Sequence, residues 1–241
     1  MQEKSFGFYD LVETFPKPGC AICTLLEADT QRLLDNILYE RVTDPPTQTH
    51  FRKSRGLCSE HAYQLTTFSH ALGIAILYEA VLDKTLKALD QAEKEAGSPG
   101  GWARWWNAAA ANDPLVAALE PEEPCMICTA QDDHESLYIS ILTDHITDDR
   151  LETAYRASDG LCRAHFQMSL QAARDAAQAR LLLDIQRDIW GRLRGELREF
   201  ARKYDFKHVD EKMGAEGDSW RRAALNFSGA RGVFGSRRSR K

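Results

Sequence analysis

The chain has 241 residues, 43% of them hydrophobic and 28% charged, with 15 Gly and 8 Pro, which excludes the disordered, collagen-like and disulfide-scaffold classes. Mean hydropathy is −0.45 and no apolar run approaches the roughly 18 residues of a membrane span, so no membrane partner is expected, and the polar first ten residues point to a cytoplasmic location. Seven cationic residues follow Asp218 with no acidic one among them, and removing them from the net charge of −5 leaves −12 on residues 1–218, an acidic body ill-suited to lie along a phosphate backbone.

In chain order, Pro16-Lys17-Pro18-Gly19 breaks any preceding helix, and Cys20-x-x-Cys23 opens a helical stripe through Leu25, Leu26, Leu33, Leu34, Ile37 and Leu38 that Asp44-Pro45-Pro46 should end. Gly56-Leu57-Cys58 reads as a tight turn into Cys58-x-x-His61, after which one long helix is expected over residues 62–96. Gly97-Ser98-Pro99-Gly100-Gly101 is a breaker, and an alanine-rich helix follows in which Trp102, Trp105 and Trp106 share a face. That face packs into a core or anchors a partner.

Pro121-Glu122-Glu123-Pro124 then introduces Cys125-x-x-Cys128, and Gly160-Leu161-Cys162 introduces Cys162-x-x-His165 and a second long helix over residues 166–204. An amphipathic stretch from Ser219 to about Phe227 precedes a tail, rich in Gly, Ser and Arg, expected to be disordered; its Arg237, Arg238 and Arg240 could touch an anionic partner. No alternating β-branched run occurs, so the expected fold is all-α. The expected organisation is a first Cys/His half over 1–97, a Trp-rich linker helix over 98–120, a second half over 121–210, and a C-terminal segment over 211–241.

The two halves are copies. Residues 37–61 and 141–165 align at an offset of 104 with eleven of twenty-five positions identical, including Glycine 56/160, Leucine 57/161, and the cysteine and histidine of each Cys-x-x-His, while the Cys-x-x-Cys pairs align at 105. All six cysteines fall in this doubled pattern. In a chain this long and read as cytosolic they point to metal rather than disulfides. Three thiolates and an imidazole make a closed tetrahedral site of the structural zinc type, so two Zn2+ per chain are expected, held by Cys20, Cys23, Cys58 and His61 in one half and by Cys125, Cys128, Cys162 and His165 in the other. The halves are expected to pack through their long helices about a pseudo-twofold axis. An iron–sulfur cluster and reversible thiol chemistry are the rival uses of the same residues.

At Cys20-Ala-Ile-Cys23, Gly56-Leu-Cys58-Ser-Glu-His61, Cys125-Met-Ile-Cys128 and Gly160-Leu-Cys162-Arg-Ala-His165, the sequence resembles a bacterial family catalogued as domain of unknown function 6062, over roughly residues 15–205. That family usually has proline after the first cysteine, where Ala21 and Met126 stand here. The resemblance bears on fold and metal and does not indicate a function.

Glu40 and Asp144, and Asp44 and Asp148, recur at equivalent positions and read as helix-terminating or ion-pairing groups rather than as acid–base pairs. His50, His70, His134, His145 and His208 stand beside no nucleophile motif and read as surface or half-buried histidines. The expected function is therefore a non-catalytic, zinc-stabilised scaffold that binds a protein partner or a small ligand. A nucleic-acid-associated role through the basic tail and a zinc–thiolate redox sensor are the alternatives.

Overall fold

The computed structural model describes residues 4–96, 114–208 and 210–234, and among them every regular element is helical. The helices are α1 (Phe6–Thr14), α2 (Ala21–Glu40), α3 (Pro45–Lys53), α4 (Ser59–Leu65), α5 (Ala71–Ala96), α6 (Pro114–Leu119), α7 (Met126–His145), α8 (Asp149–Ala157), α9 (Arg163–Ala172), α10 (Ala176–Lys203) and α11 (Ser219–Ser228), with 3-10 turns at Phe206–His208 and Ala215–Asp218. Trp102, Trp105, Trp106, Arg237, Arg238 and Arg240 lie outside the described residues.

The element series runs twice. Helices α2 and α7 each have 20 residues and α3 and α8 each have 9; the short α4 and α9 carry the Cys-x-x-His histidines, and the long α5 and α10 follow. Asp44 does not simply end α2. It is the N-cap of α3, accepting from Thr47 N at 3.0 Å, with Pro45 and Pro46 filling the first positions where no amide donor is needed. Asp148 does the same for α8, accepting from Arg150 N at 3.1 Å.

The two long helices expected to run straight on from each histidine are interrupted. Thr66 and Thr67 turn their hydroxyls back onto the carbonyls of Tyr63 and Gln64, both at 2.7 Å, which closes α4 locally. Asp175 caps α10 by accepting from Gln178 N at 2.8 Å while Gln178 Oε1 accepts from Arg174 N at 2.9 Å, a reciprocal cap that separates α9 from α10.

The chain divides into two compact units, and they are not the two sequence halves. Among the described residues one comprises the chain up to residue 29 and from residue 131 on, the other residues 30–130, so the division falls inside α2 and α7. In the first unit Phe8 and Leu11 of α1, Phe15 just after it, Ile22 and Leu26 at the start of α2, and Leu142 of α7 share one core with Tyr155, Leu182 and Ile185. Phe15 stacks on Tyr155 with ring centroids 4.8 Å apart, and α10 packs on α8, α9 and α11. In the second unit Leu34, Ile37 and Leu38 from the end of α2 pack with Phe51, Leu65, Leu77, Val81 and Ile127, and α5 lies on α3 and α6. Each unit thus combines one end of α2 with the opposite end of α7.

Gly160 has φ +82°, and a Cβ there would lie 2.8 Å from Gln186 Nε2, inside a buried hydrogen-bonded turn. Gly195, mid-helix in α10, has nothing within 4 Å of that position. Gly160→Ala should therefore destabilise the protein by more than about 1 kcal/mol, whereas Gly195→Ala should stabilise it by about 0.5–1 kcal/mol; urea unfolding of both variants checks the opposite signs.

Candidate metal centres

In the first unit the start of α2 meets the start of α9. Gly19 (φ +92°) turns the chain into Cys20, and its amide donates to Asp159 Oδ2 at 2.8 Å, tying the Cys-x-x-Cys entry to the loop that precedes Cys162. That loop is held by Gln186 of α10. Its Oε1 accepts from Leu161 N at 3.0 Å and from the Tyr155 hydroxyl at 2.6 Å, and its Nε2 donates to Leu161 O at 3.1 Å. Cys20, Cys23, Cys162 and His165 converge as a result, their ligand atoms all within 4.8 Å of one another. His165 Nδ1 lies 3.4 Å from Cys20 Sγ, 3.4 Å from Cys23 Sγ and 3.3 Å from Cys162 Sγ, and the sulfurs of Cys23 and Cys162 are 3.8 Å apart.

The second unit builds the same arrangement from Cys58 and His61 with Cys125 and Cys128. Here the Pro121–Pro124 entry is stitched to α3: Glu122 N donates to Lys53 O at 2.8 Å, Lys53 Nζ reaches Glu123 Oε1 at 2.8 Å, and His50 Nε2 lies 2.9 Å from Pro124 O. His61 Nδ1 is 3.2 Å from Cys58 Sγ, 3.6 Å from Cys125 Sγ and 3.4 Å from Cys128 Sγ, and the Cys58 and Cys128 sulfurs are 3.6 Å apart.

These distances suit a single ion. A regular tetrahedron around an ion bonded at about 2.3 Å to sulfur and about 2.0–2.1 Å to nitrogen has S···S edges of about 3.8 Å and S···N edges of about 3.6 Å. The sulfurs are too far apart for disulfides, which need about 2.05 Å, and all six cysteines are free.

Cys162 and Cys58 are held far below the ordinary thiol range. In Cys162 the hydrogen bonds from Cys20 and Cys23 act first, with His165 adding to them against burial; in Cys58 the same work is done by Cys125 and Cys128, then by His61. Cys23 and Cys128 are pushed far up, because each gives its proton to a neighbouring sulfur and is also buried. Burial is the largest effect on His61 and lowers its pKa, yet the sulfurs of Cys125 and Cys58 outweigh it and carry the value up to about 9. A metal ion must displace the protons held within a quartet in order to bind.

All eight sequence-predicted ligands are brought together, but not in the expected sets. The expectation that each half closes its own quartet is overturned: Cys20 and Cys23 join Cys162 and His165, and Cys58 and His61 join Cys125 and Cys128. The reason is length. A helix of 20 residues such as α2 carries the chain about 30 Å from its start, and a nine-residue helix such as α3 recovers only about 14 Å of it. Cys58 is delivered toward the far end of α2, whose core the start of α7 shares through Ile127.

Several contributors had no motif to announce them. Glu135 Oε1 accepts from His165 Nε2 at 2.9 Å, as a carboxylate does behind a metal-bound histidine. Gln186 and Asp159 position the Cys162 loop, and the C-terminal segment reaches the first centre, with Ala230 N donating to Cys23 Sγ at 3.5 Å and the Phe234 ring 5.0 Å from that of His165. The chain after α11, expected to be disordered, is packed as far as Phe234, with Val233 buried. Of the recurring carboxylates, Asp44 and Asp148 are helix caps, Glu40 accepts from Asn36 Nδ2 at 2.6 Å, and Asp144 pairs with Arg174.

Residues 8–231 match the family described as "Family of unknown function (DUF6062)". The chain belongs to this family. A curated relative, "Uncharacterized 23.9 kDa protein in xynA 3'region" from Caldicellulosiruptor sp. (strain Rt8B.4), is 20% identical over 205 residues, which cover 83% of this chain and 89% of the relative. No solved structure gives a significant match to this DUF6062 chain, and no helix among the described residues is long and apolar enough to cross a membrane.

The crossed sets make a decisive stoichiometric prediction. Cys20→Ser/Cys162→Ser damages one centre and should leave one metal equivalent per chain, whereas Cys20→Ser/Cys58→Ser damages both and should leave none; native mass spectrometry of the two proteins would return the reverse order if each half closed its own quartet.

Proposed function

We propose that the protein is a zinc-stabilised, non-catalytic scaffold carrying two Zn2+ per chain. One observation supports this most strongly: each centre gathers four protein ligands at the edge lengths of a filled tetrahedron, which leaves no coordination position for water or substrate. Zinc is favoured over an iron–sulfur cluster because a cluster interposes several atoms between its ligands and would spread them well beyond the 4.8 Å within which each set lies. When bound, the ion supplies cross-linking rather than chemistry. The protein's own part is to present Cys20 and Cys23 to a Cys-x-x-His more than 130 residues later, through the Gly19–Asp159 and Gln186–Leu161 hydrogen bonds.

A structural zinc site contributes on the order of 10 kcal/mol of apparent binding free energy at neutral pH, comparable with the whole stability of a domain. Purified protein should therefore contain two zinc ions per chain by elemental analysis, and chelation should abolish most of its far-ultraviolet helical signal, with zinc restoring it. The pH dependence has one sign. Protons compete with the ion for thiolate and imidazole, so occupancy and helicity should both fall as pH is lowered. Metal-free protein that remains fully folded would overturn the reading.

The scaffold is further proposed to bind a partner or a small ligand. A recess of about 480 Å³ in the first unit, lined by Phe166, Leu183, Arg187, Trp190, Gly191 and Arg194, has the size of a ligand pocket and joins apolar walls to two guanidinium groups, which suits an apolar molecule bearing an acidic group. Decanoate should raise the melting temperature of the zinc-loaded protein and leave Leu183→Glu unchanged. No shift in the parent protein removes this ligand class.

A further inference from the structure

The two centres have the same donor atoms and different surroundings. At the first, Cys20, Cys23, Cys162 and His165 are 8%, 2%, 0% and 0% exposed. Glu135 backs His165 from the outer side. The segment after α11 covers the cluster: Ala230 N donates to Cys23 Sγ, Gly232 O accepts from Gln131 Nε2 at 3.4 Å, Val233 is buried, and Phe234 lies against the His165 ring. Helix α11 anchors this strap, since Asn226 accepts from Trp190 Nε1 at 2.6 Å and donates to Asp159 O at 2.8 Å, on the same residue that holds Gly19.

At the second centre Cys58, Cys125 and Cys128 are all only partly buried. His61 is 1% exposed, yet its Nε2 has no hydrogen-bond partner among the described residues. Buried polar atoms without partners are also found at Arg55 Nε and Nη1, just before the Gly56 turn, and at Gln64 Oε1, one turn after His61. The position of α2 that corresponds to Glu135 is Thr30 or Gln31, depending on which repeat offset applies, and neither supplies a carboxylate. A metal-bound histidine without its outer partner binds its ion about 10–100-fold more weakly, and each buried orphan group disfavours the closed state around it.

We infer that the two centres divide the work, the Cys58–His61–Cys125–Cys128 centre being an exchangeable metal site with reactive thiolates and the Cys20–Cys23–Cys162–His165 centre a permanent clamp sealed by the C-terminal strap and Glu135. This rests on both centres binding metal, as proposed above.

The test uses the full chain loaded with zinc and confirmed by native mass spectrometry to carry two ions. A chelator is added together with a pulse of N-ethylmaleimide, and released zinc and labelled cysteines are followed in time. Release should have two phases of equal amplitude separated by at least tenfold in rate, with Cys58, Cys125 and Cys128 labelled in the first and Cys20, Cys23 and Cys162 in the second. Glu135→Gln, and separately Phe234→Ala, should accelerate only the second phase, by threefold or more. Either variant suffices should the other fail to fold. Two ions leaving in one phase, or Cys20, Cys23 and Cys162 labelled first, would overturn the division of labour while leaving the scaffold reading intact. Protein that takes up no metal would overturn both.

Discussion

The structure depends on one constraint: a Cys-x-x-Cys at the start of a 20-residue helix is met not by the Cys-x-x-His that follows that helix in its own repeat but by the one from the other repeat. A straight helix of that length displaces the chain by about 30 Å. The second occurrence of each motif resolves the mismatch, because the Cys-x-x-His at 162–165 meets the pair at 20–23 and the one at 58–61 meets the pair at 125–128. Each compact unit is consequently a composite of both repeats, with the described chain up to residue 29 belonging to the body formed from residue 131 on. A single repeat cut from the chain would contain four ligands and no centre. Each candidate metal centre therefore draws its ligands from both repeats.

The local devices that build the centres differ in kind although the ligands do not. In the first unit Gln186, fully buried on α10, accepts from the amide of Leu161 and fixes the turn before Cys162. In the second, the ring of Tyr78 on α5 fills the space beside Gly56, 3.0 Å from where a Cβ would stand. Relative to the repeat offset, the two side chains sit about one helical turn apart on their long helices. A side chain of the long helix packs against the turn before the ligating cysteine in both units, and the residue that does so differs. In both turns a glycine with positive φ, +87° at Gly56 and +82° at Gly160, leaves room for that side chain.

Much of this was legible in the sequence and some of it was not, for identifiable reasons. The eight ligands announced themselves by residue type and spacing, and the absence of alternating β-branched runs fixed the all-α class among the described residues. The pairing of ligand sets was hidden because the two Cys-x-x-Cys motifs and the two Cys-x-x-His motifs are each nearly interchangeable, and nothing in a local motif records which copy it will meet. The clue lay in Asp44-Pro45-Pro46. Read as a stop, it only ends α2; read as an N-cap with prolines at the first helical positions, it marks a new helix between α2 and Cys58. Glu135, Gln186 and Asp159 carried no signal beyond being polar residues in helices or turns, and only their hydrogen bonds beside the centres give them a role. The strap was obscured by composition: Gly229-Ala230-Arg231-Gly232 reads as loop, and only Val233 and Phe234, which find the core, distinguish it from a solvated tail.

The divergence around identical ligands bears on why a doubled site persists as two different ones. A tetrahedral set of three thiolates and an imidazole is already complete as a donor set, so the ease with which its ion leaves is governed by what surrounds it: solvent access to sulfur, the partner of the outer imidazole nitrogen, and the amides that donate to the thiolates. In this chain those three variables change together. The centre with buried sulfurs also has the carboxylate behind its histidine and an amide on Cys23, and the centre with partly exposed sulfurs has a histidine nitrogen without a partner. Independent drift of two redundant clamps would scatter such features between them. Two elements meet at that one centre: the segment after α11 runs over Cys23 and His165, and α7 supplies Glu135 behind the same histidine; neither has a counterpart at the other centre among the described residues.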